Sequence, residues 1–138
     1  MHTPDRVNVS SASGHILSVS PFREDHETLR LFVEPLKVLI TEAHSRRDAL
    51  WIMVSQRFDL ILCEAHLNWK DILSYLAEVL DPPRLVITTC MDERLWAEAL
   101  NLGGWDVLVK PFDRAEVRRV VKSGLGHRID LLGRAIAA

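Results

Sequence analysis

The chain has 138 residues with 48% apolar and 26% charged side chains and a formal charge of −2 at neutral pH. That length buries roughly two-thirds of the unfolded surface in a single core without help from disulfides or metal, and the weak net charge leaves no electrostatic footprint for nucleic acid or a membrane surface. Two cysteines, Cys63 and Cys90, lie in apolar runs with neither a paired framework nor ligand spacing, so a reducing, cytoplasmic setting is expected.

In chain order, residues 1–14 are polar and small, without the apolar segment of a signal peptide or membrane span, and are read as a flexible tail. His15 to Val19 is the first strand candidate; Leu29, Phe32, Val33 and Leu36 then mark one face of a helix that Pro35 ends. Lys37 to Thr41 is the second apolar run. Ser45 caps a helix striped by Ala49, Leu50, Ile52 and Met53. The third run, Leu60 to Cys63, stops on Glu64. Ile72, Leu73, Leu76 and Leu80 give the next helical stripe, and Pro82 and Pro83 end it before the fourth run, Arg84 to Thr88. Asp92 caps a helix that Gly103 and Gly104 terminate. Trp105 to Val109 is the fifth run. A last helix starts at Asp113, carries Val117, Val120 and Val121, and is expected to break at Gly124 and Gly126. Residues 15–125 thus form the folded domain, and 126–138 form a C-terminal extension read as a short extra helix.

Five strand–helix repeats with near-continuous Val/Ile/Leu strands predict an α/β, doubly wound parallel sheet covered on both faces. Ligand-facing residues in such sheets stand outside the carboxyl ends of the strands. Here that rim carries Ser20 and Pro21, Glu64, Thr88 and Thr89, and Lys110.

Four segments, KVLITEAHSRRDAL (37–50), DLILCEAHLN (59–68), VITT (86–89) and LVKPF (108–112), together resemble the receiver domains of bacterial response regulators from about Gly14 to Leu125. The resemblance implies a flavodoxin-like (βα)5 fold. It also implies an aspartate phosphoacceptor at the end of the third strand and two acids after the first strand that hold magnesium. A fourth-strand Thr or Ser and a fifth-strand Lys would then contact the phosphoryl group. Glu64 takes the phosphoacceptor position, Thr88 and Lys110 match, and the Lys110–Pro111 bond is expected to be cis as in the family. Ser20 and Pro21 stand where the family has its acid pair, and Val107 stands where many members carry a switching aromatic. Trp105 is displaced from that position by two residues.

A proline without a side-chain oxygen and a lone serine make a poor magnesium site, and Glu64 carries its carboxylate about 1.5 Å further out than aspartate would. Glu24 and Asp25 are read as first-turn acids favoured by the helix dipole, and His66 is assigned no role. The chain is therefore expected to be an atypical receiver, not an enzyme, with no metal and no cofactor. Its expected role is that of a phosphorylation-independent interaction module in two-component signalling. Glu64 is expected to pair with Lys110, with Thr88 between them.

The expected partners are a histidine kinase or an output protein, or a second copy of the chain. The face of the fourth helix, fifth strand and last helix, a partner surface in many receivers, carries Arg94, Glu98, Asp113, Arg114, Glu116, Arg118 and Arg119. No output domain is expected after Gly126. Two rivals remain: a phosphorylatable receiver with unusual acids, and a flavodoxin-like small-ligand domain. Against the second, no glycine-rich phosphate loop follows the first strand.

Overall fold

The computed structural model describes residues 14–90 and 93–137, with side chains described as far as residue 126. The strands are β1 (His15–Val19), β2 (Leu39–Ala43), β3 (Leu60–Glu64), β4 (Arg84–Cys90) and β5 (Asp106–Lys110). The helices are α1 (Arg23–Val33), α2 (Arg46–Ser55), α3 (Trp69–Leu76), α4 (Glu93–Asn101) and α5 (Arg114–Ala137). All five strands are parallel, in the order β2-β1-β3-β4-β5, so the order reverses between β1 and β3.

The continuous apolar strands serve two cores by turns. Alternate side chains of a strand point to opposite faces, so Leu17, Ile61, Cys63, Leu85, Ile87 and Val107 pack beneath α2, α3 and α4. Ile16, Leu60, Leu62, Val86 and Leu108 pack beneath α1 and α5, against Leu29, Val33, Val117 and Val120. Burial of the central strands on both faces is what the unbroken Leu/Ile/Val runs encode.

Several element ends differ from the sequence expectation. β2 starts two residues late, because Pro35 sits in a short 3-10 turn (Glu34–Leu36) that closes on Lys37 in the left-handed region, φ 54°. α3 stops at Leu76, and Leu80 is 95% exposed rather than part of its stripe. Trp105, expected to open the fifth strand, precedes β5 instead and packs on the α1–α5 side, while Val107 packs on the other. The Ser45 cap is present, its side chain accepting from the Asp48 amide. The expected cap Asp92 and residues 1–13 of the expected tail lie outside the described residues.

The last helix runs unbroken through Gly124 and Gly126. Gly124 is there for closeness: a Cβ would lie 2.8 Å from Leu60 Cδ1 and 3.3 Å from the Trp105 ring, whereas one at Gly126 would meet nothing within 4 Å. The two positions should therefore respond differently in urea unfolding. Gly124→Val is expected to cost about 1–3 kcal/mol through overpacking, and Gly126→Ala to be neutral or to gain up to about 1 kcal/mol from helix propensity.

Candidate functional site

Strand alternation assembles the rim. Ser20 follows Ile16 by four residues, and Glu64, Thr88 and Lys110 each follow by two a residue of the α1–α5 core, namely Leu62, Val86 and Leu108. All four therefore stand at carboxyl ends on the face that α1 covers. The ladder sets Glu64 opposite Thr88, and Thr88 opposite Leu108. Lys110 ends β5, and its bond to Pro111 is cis.

At the centre is the Lys110 ammonium. It donates to Asp25 Oδ2 at 3.0 Å and lies 3.7 Å from Glu64 Oε1. It also lies 4.8 Å from the Phe22 ring centroid, a cation–π contact that closes the outer side. Glu64 is fully buried. Its carboxylate accepts from the His66 backbone amide at 2.8 Å and from the ring Nδ1 of His66, which must carry the proton because a carboxylate only accepts. Asp25 accepts a second hydrogen bond, from the Ser20 hydroxyl at 2.7 Å, and the same hydroxyl oxygen accepts from the Phe22 amide at 3.0 Å.

The Glu64–Lys110 pairing expected from sequence is thus present at the edge of salt-bridge range, but the closer partner of Lys110 is Asp25. Asp25 was read as a helix-dipole acid; instead it is buried and turned into the rim. His66, given no role, holds both oxygens of Glu64. Thr88 and Thr89 are buried on β4, with Thr89 donating to the Cys90 carbonyl at 2.8 Å. Pro21 is exposed. A shallow pocket of about 470 Å³ opens over the rim between Phe22, His66 and Phe112.

The residues present do not fit the magnesium ion that the resemblance implies for the family. That ion takes near-octahedral oxygen ligands at about 2.0–2.1 Å. Here the Ser20 hydroxyl is committed to Asp25, Pro21 offers no side-chain oxygen, and both carboxylates already face one ammonium.

Cys63 and Cys90 are both free, and they do not meet: Cys63 is opposite Ile87 and Cys90 opposite Lys110. Burial, with the Glu64 charge adding to it, pushes the Cys63 thiol up to about 12.

No family model matches the chain. It is 34% identical over 89 residues to the transcriptional regulatory protein ZraR of Escherichia coli, which covers 62% of this chain and 20% of that protein, so the chain spans about a fifth of that relative. It is 30% identical over 94 residues to protein CcdB of Bacillus subtilis, covering 65% of this chain and 78% of that protein. The solved signal receiver domain of an HD-domain-containing protein from Pseudomonas fluorescens superposes with a TM-score of 0.75 at 24% identity, covering 87% of this chain and 92% of that one.

Three outcomes follow from the geometry. Lys110→Met leaves two carboxylates without their cation and should cost about 3 kcal/mol or more. Double-mutant cycles by urea unfolding should give a larger coupling for Lys110 with Asp25→Asn than with Glu64→Gln, in line with 3.0 against 3.7 Å. A disulfide-exchange reagent at pH 8 should titrate the exposed Cys90 in the native protein and reach Cys63 only on unfolding.

Proposed function

Because the chain belongs to the receiver family of response regulators, we propose that it serves two-component signalling as an interaction module whose rim is held by its own ion pairs rather than by phosphorylation. One observation carries this reading: the lysine expected to meet a phosphoryl group is already engaged between Asp25 and Glu64. Phosphoryl transfer relies on cations that neutralise the charge developing on the transferred group. On this reading Lys110 is committed elsewhere, and the acid pair that would hold a metal is Ser20 and Pro21.

The carboxylate of Glu64 lies 3.7 Å from the Lys110 ammonium and, on this reading, stands in for a phosphoryl group with one charge in place of nearly two. In this reading it maintains one rim shape that needs no kinase. His66, from the loop after β3, holds it there through its amide and ring, while Asp25 of α1 shares the same lysine.

Output then passes through a surface. On the α4–β5–α5 side a depression of about 640 Å³ is floored by Val107 and flanked by the exposed Trp96 and Val109. Several of the charges on this face are spent inside the chain. Arg119 pairs with Glu116, Glu98 pairs with Lys70, and Arg118 donates to the Phe32 carbonyl on α1. Arg114 lies over the Phe32 ring. An apolar floor and flank of Val107, Trp96 and Val109, bordered by charges several of which are already paired within the chain, suits a protein partner more than a charge-paired homodimer.

Incubation with acetyl phosphate and magnesium should leave the intact mass without a phosphoryl increment, and beryllofluoride with magnesium should change neither tryptophan fluorescence nor the melting temperature. A saturable response to either would overturn the reading in favour of a phosphorylatable receiver with unusual acids.

A further inference from the structure

Beside the rim, where α1 meets the end of β2, three potential metal ligands converge that the rim does not use. His26 of α1, Glu42 at the end of β2 and His44 just beyond it each bring a ligand atom within 4.8 Å of the others. The two imidazoles meet edge to face, with centroids 5.0 Å apart, and Glu42 Oε1 lies 3.8 Å from His44 Nε2. We propose that the chain binds a divalent ion of the zinc class at His26, Glu42 and His44, with water completing the coordination.

The donor set selects the ion. Two imidazoles and one carboxylate suit zinc and its late first-row neighbours, whereas magnesium and calcium prefer oxygen alone. Zinc–ligand distances of about 2.0–2.1 Å put tetrahedral donors roughly 3.3 Å apart. The donors therefore need to close by an ångström or so, and the exposed His44 side chain is free to supply that movement.

The surroundings hold the other two ligands in place. His26 is fully buried; its Nε2 donates to the Ser20 carbonyl at 2.9 Å, and its Nδ1 lies 2.8 Å from the Ser18 hydroxyl. Whichever ring nitrogen turns to the ion, the other keeps an oxygen partner that orients the ring, as metal-bound histidines generally have. Glu42 gives Oε2 to Arg30 Nε at 2.8 Å, and Arg30 also reaches the Ile40 carbonyl at 3.2 Å, so the carboxylate is aimed with Oε1 free for the ion. Arg30 also lowers the attraction for a cation, but one guanidinium on the opposite oxygen leaves the carboxylate lone pairs on the ion side available.

This site goes beyond the rim reading and does not depend on it. The two are nonetheless one residue apart: Ser20 takes His26 on its carbonyl and gives its hydroxyl to Asp25. An ion drawing on His26 would pull on the residue that positions Asp25.

Isothermal titration of the metal-free full chain with zinc chloride, and with cobalt chloride to read the visible bands of a tetrahedral ion, tests the site. The expected result is saturable uptake of one ion per chain. His44→Ala, an exposed substitution that should leave the fold intact by circular dichroism, should weaken it at least about tenfold, since loss of an orienting partner alone costs about 10–100-fold. Glu42→Gln should weaken it likewise. His66→Ala, at the rim, should leave it unchanged. No saturable uptake, uptake that His44→Ala leaves as it was, or uptake lost in His66→Ala instead would overturn the assignment.

Discussion

The Lys110 ammonium, held between Asp25 and Glu64, is the constraint on which the rim depends. Two carboxylates and one cation in a largely water-excluded space leave an excess of negative charge. That excess persists only because other donors share it: the His66 amide and ring on Glu64, and the Ser20 hydroxyl on Asp25. Burial of such charges is costly unless each is paired and hydrogen-bonded. Among the described side chains no buried nitrogen or oxygen lacks a partner, so the cost is met locally and the network fixes α1, the loop after β3 and the end of β5 against one another.

The architecture was legible because strand composition carries it. Unbroken apolar runs bounded by turn residues placed five strands within two residues of their ends, and the α/β class follows from their alternation with helices. The misplaced boundaries have local causes. The left-handed Lys37 delays β2, and α3 ends a turn early at Leu76, so Leu80 finds no core to join. Gly124 was read as a helix breaker because propensity ignores neighbours; its missing side chain instead lets α5 approach Leu60 and Trp105.

The rim was legible only in part. Positions ending strands were readable from the sequence, since each closes an apolar run of known face. Asp25 was not, because nothing local distinguishes an acid that favours the helix dipole from one that turns inward. The distinction lies in the register of α1 over the sheet, which sets Leu29 and Val33 into the core and carries Asp25, one turn before Leu29, onto the same side. Two helical positions four apart share a face, so a first-turn acid at that spacing from a core leucine on a helix covering a rim is a signal that dipole reasoning overlooks. His66 was missed for a related reason: its role depends on a short 3-10 turn, Ala65–Leu67, that folds the loop back on Glu64.

Ser20 ties these observations together. Where the resemblance implies an acid, a hydroxyl both donates to Asp25 and accepts from the Phe22 amide, and the backbone carbonyl of the same residue anchors His26. A carboxylate at that position could not donate to Asp25; it would add a third negative charge around a single lysine. The serine, the inward Asp25 and the longer Glu64 are therefore mutually consistent: a neutral donor at position 20 permits an acid from α1 to reach Lys110, and that acid leaves Lys110 shared. Restoring an aspartate at Ser20 without removing Asp25 would work against the charge balance of the whole rim. Ser20, Asp25, Glu64 and Lys110 thus form one coupled arrangement, in which a change at any one alters the charge balance of the other three.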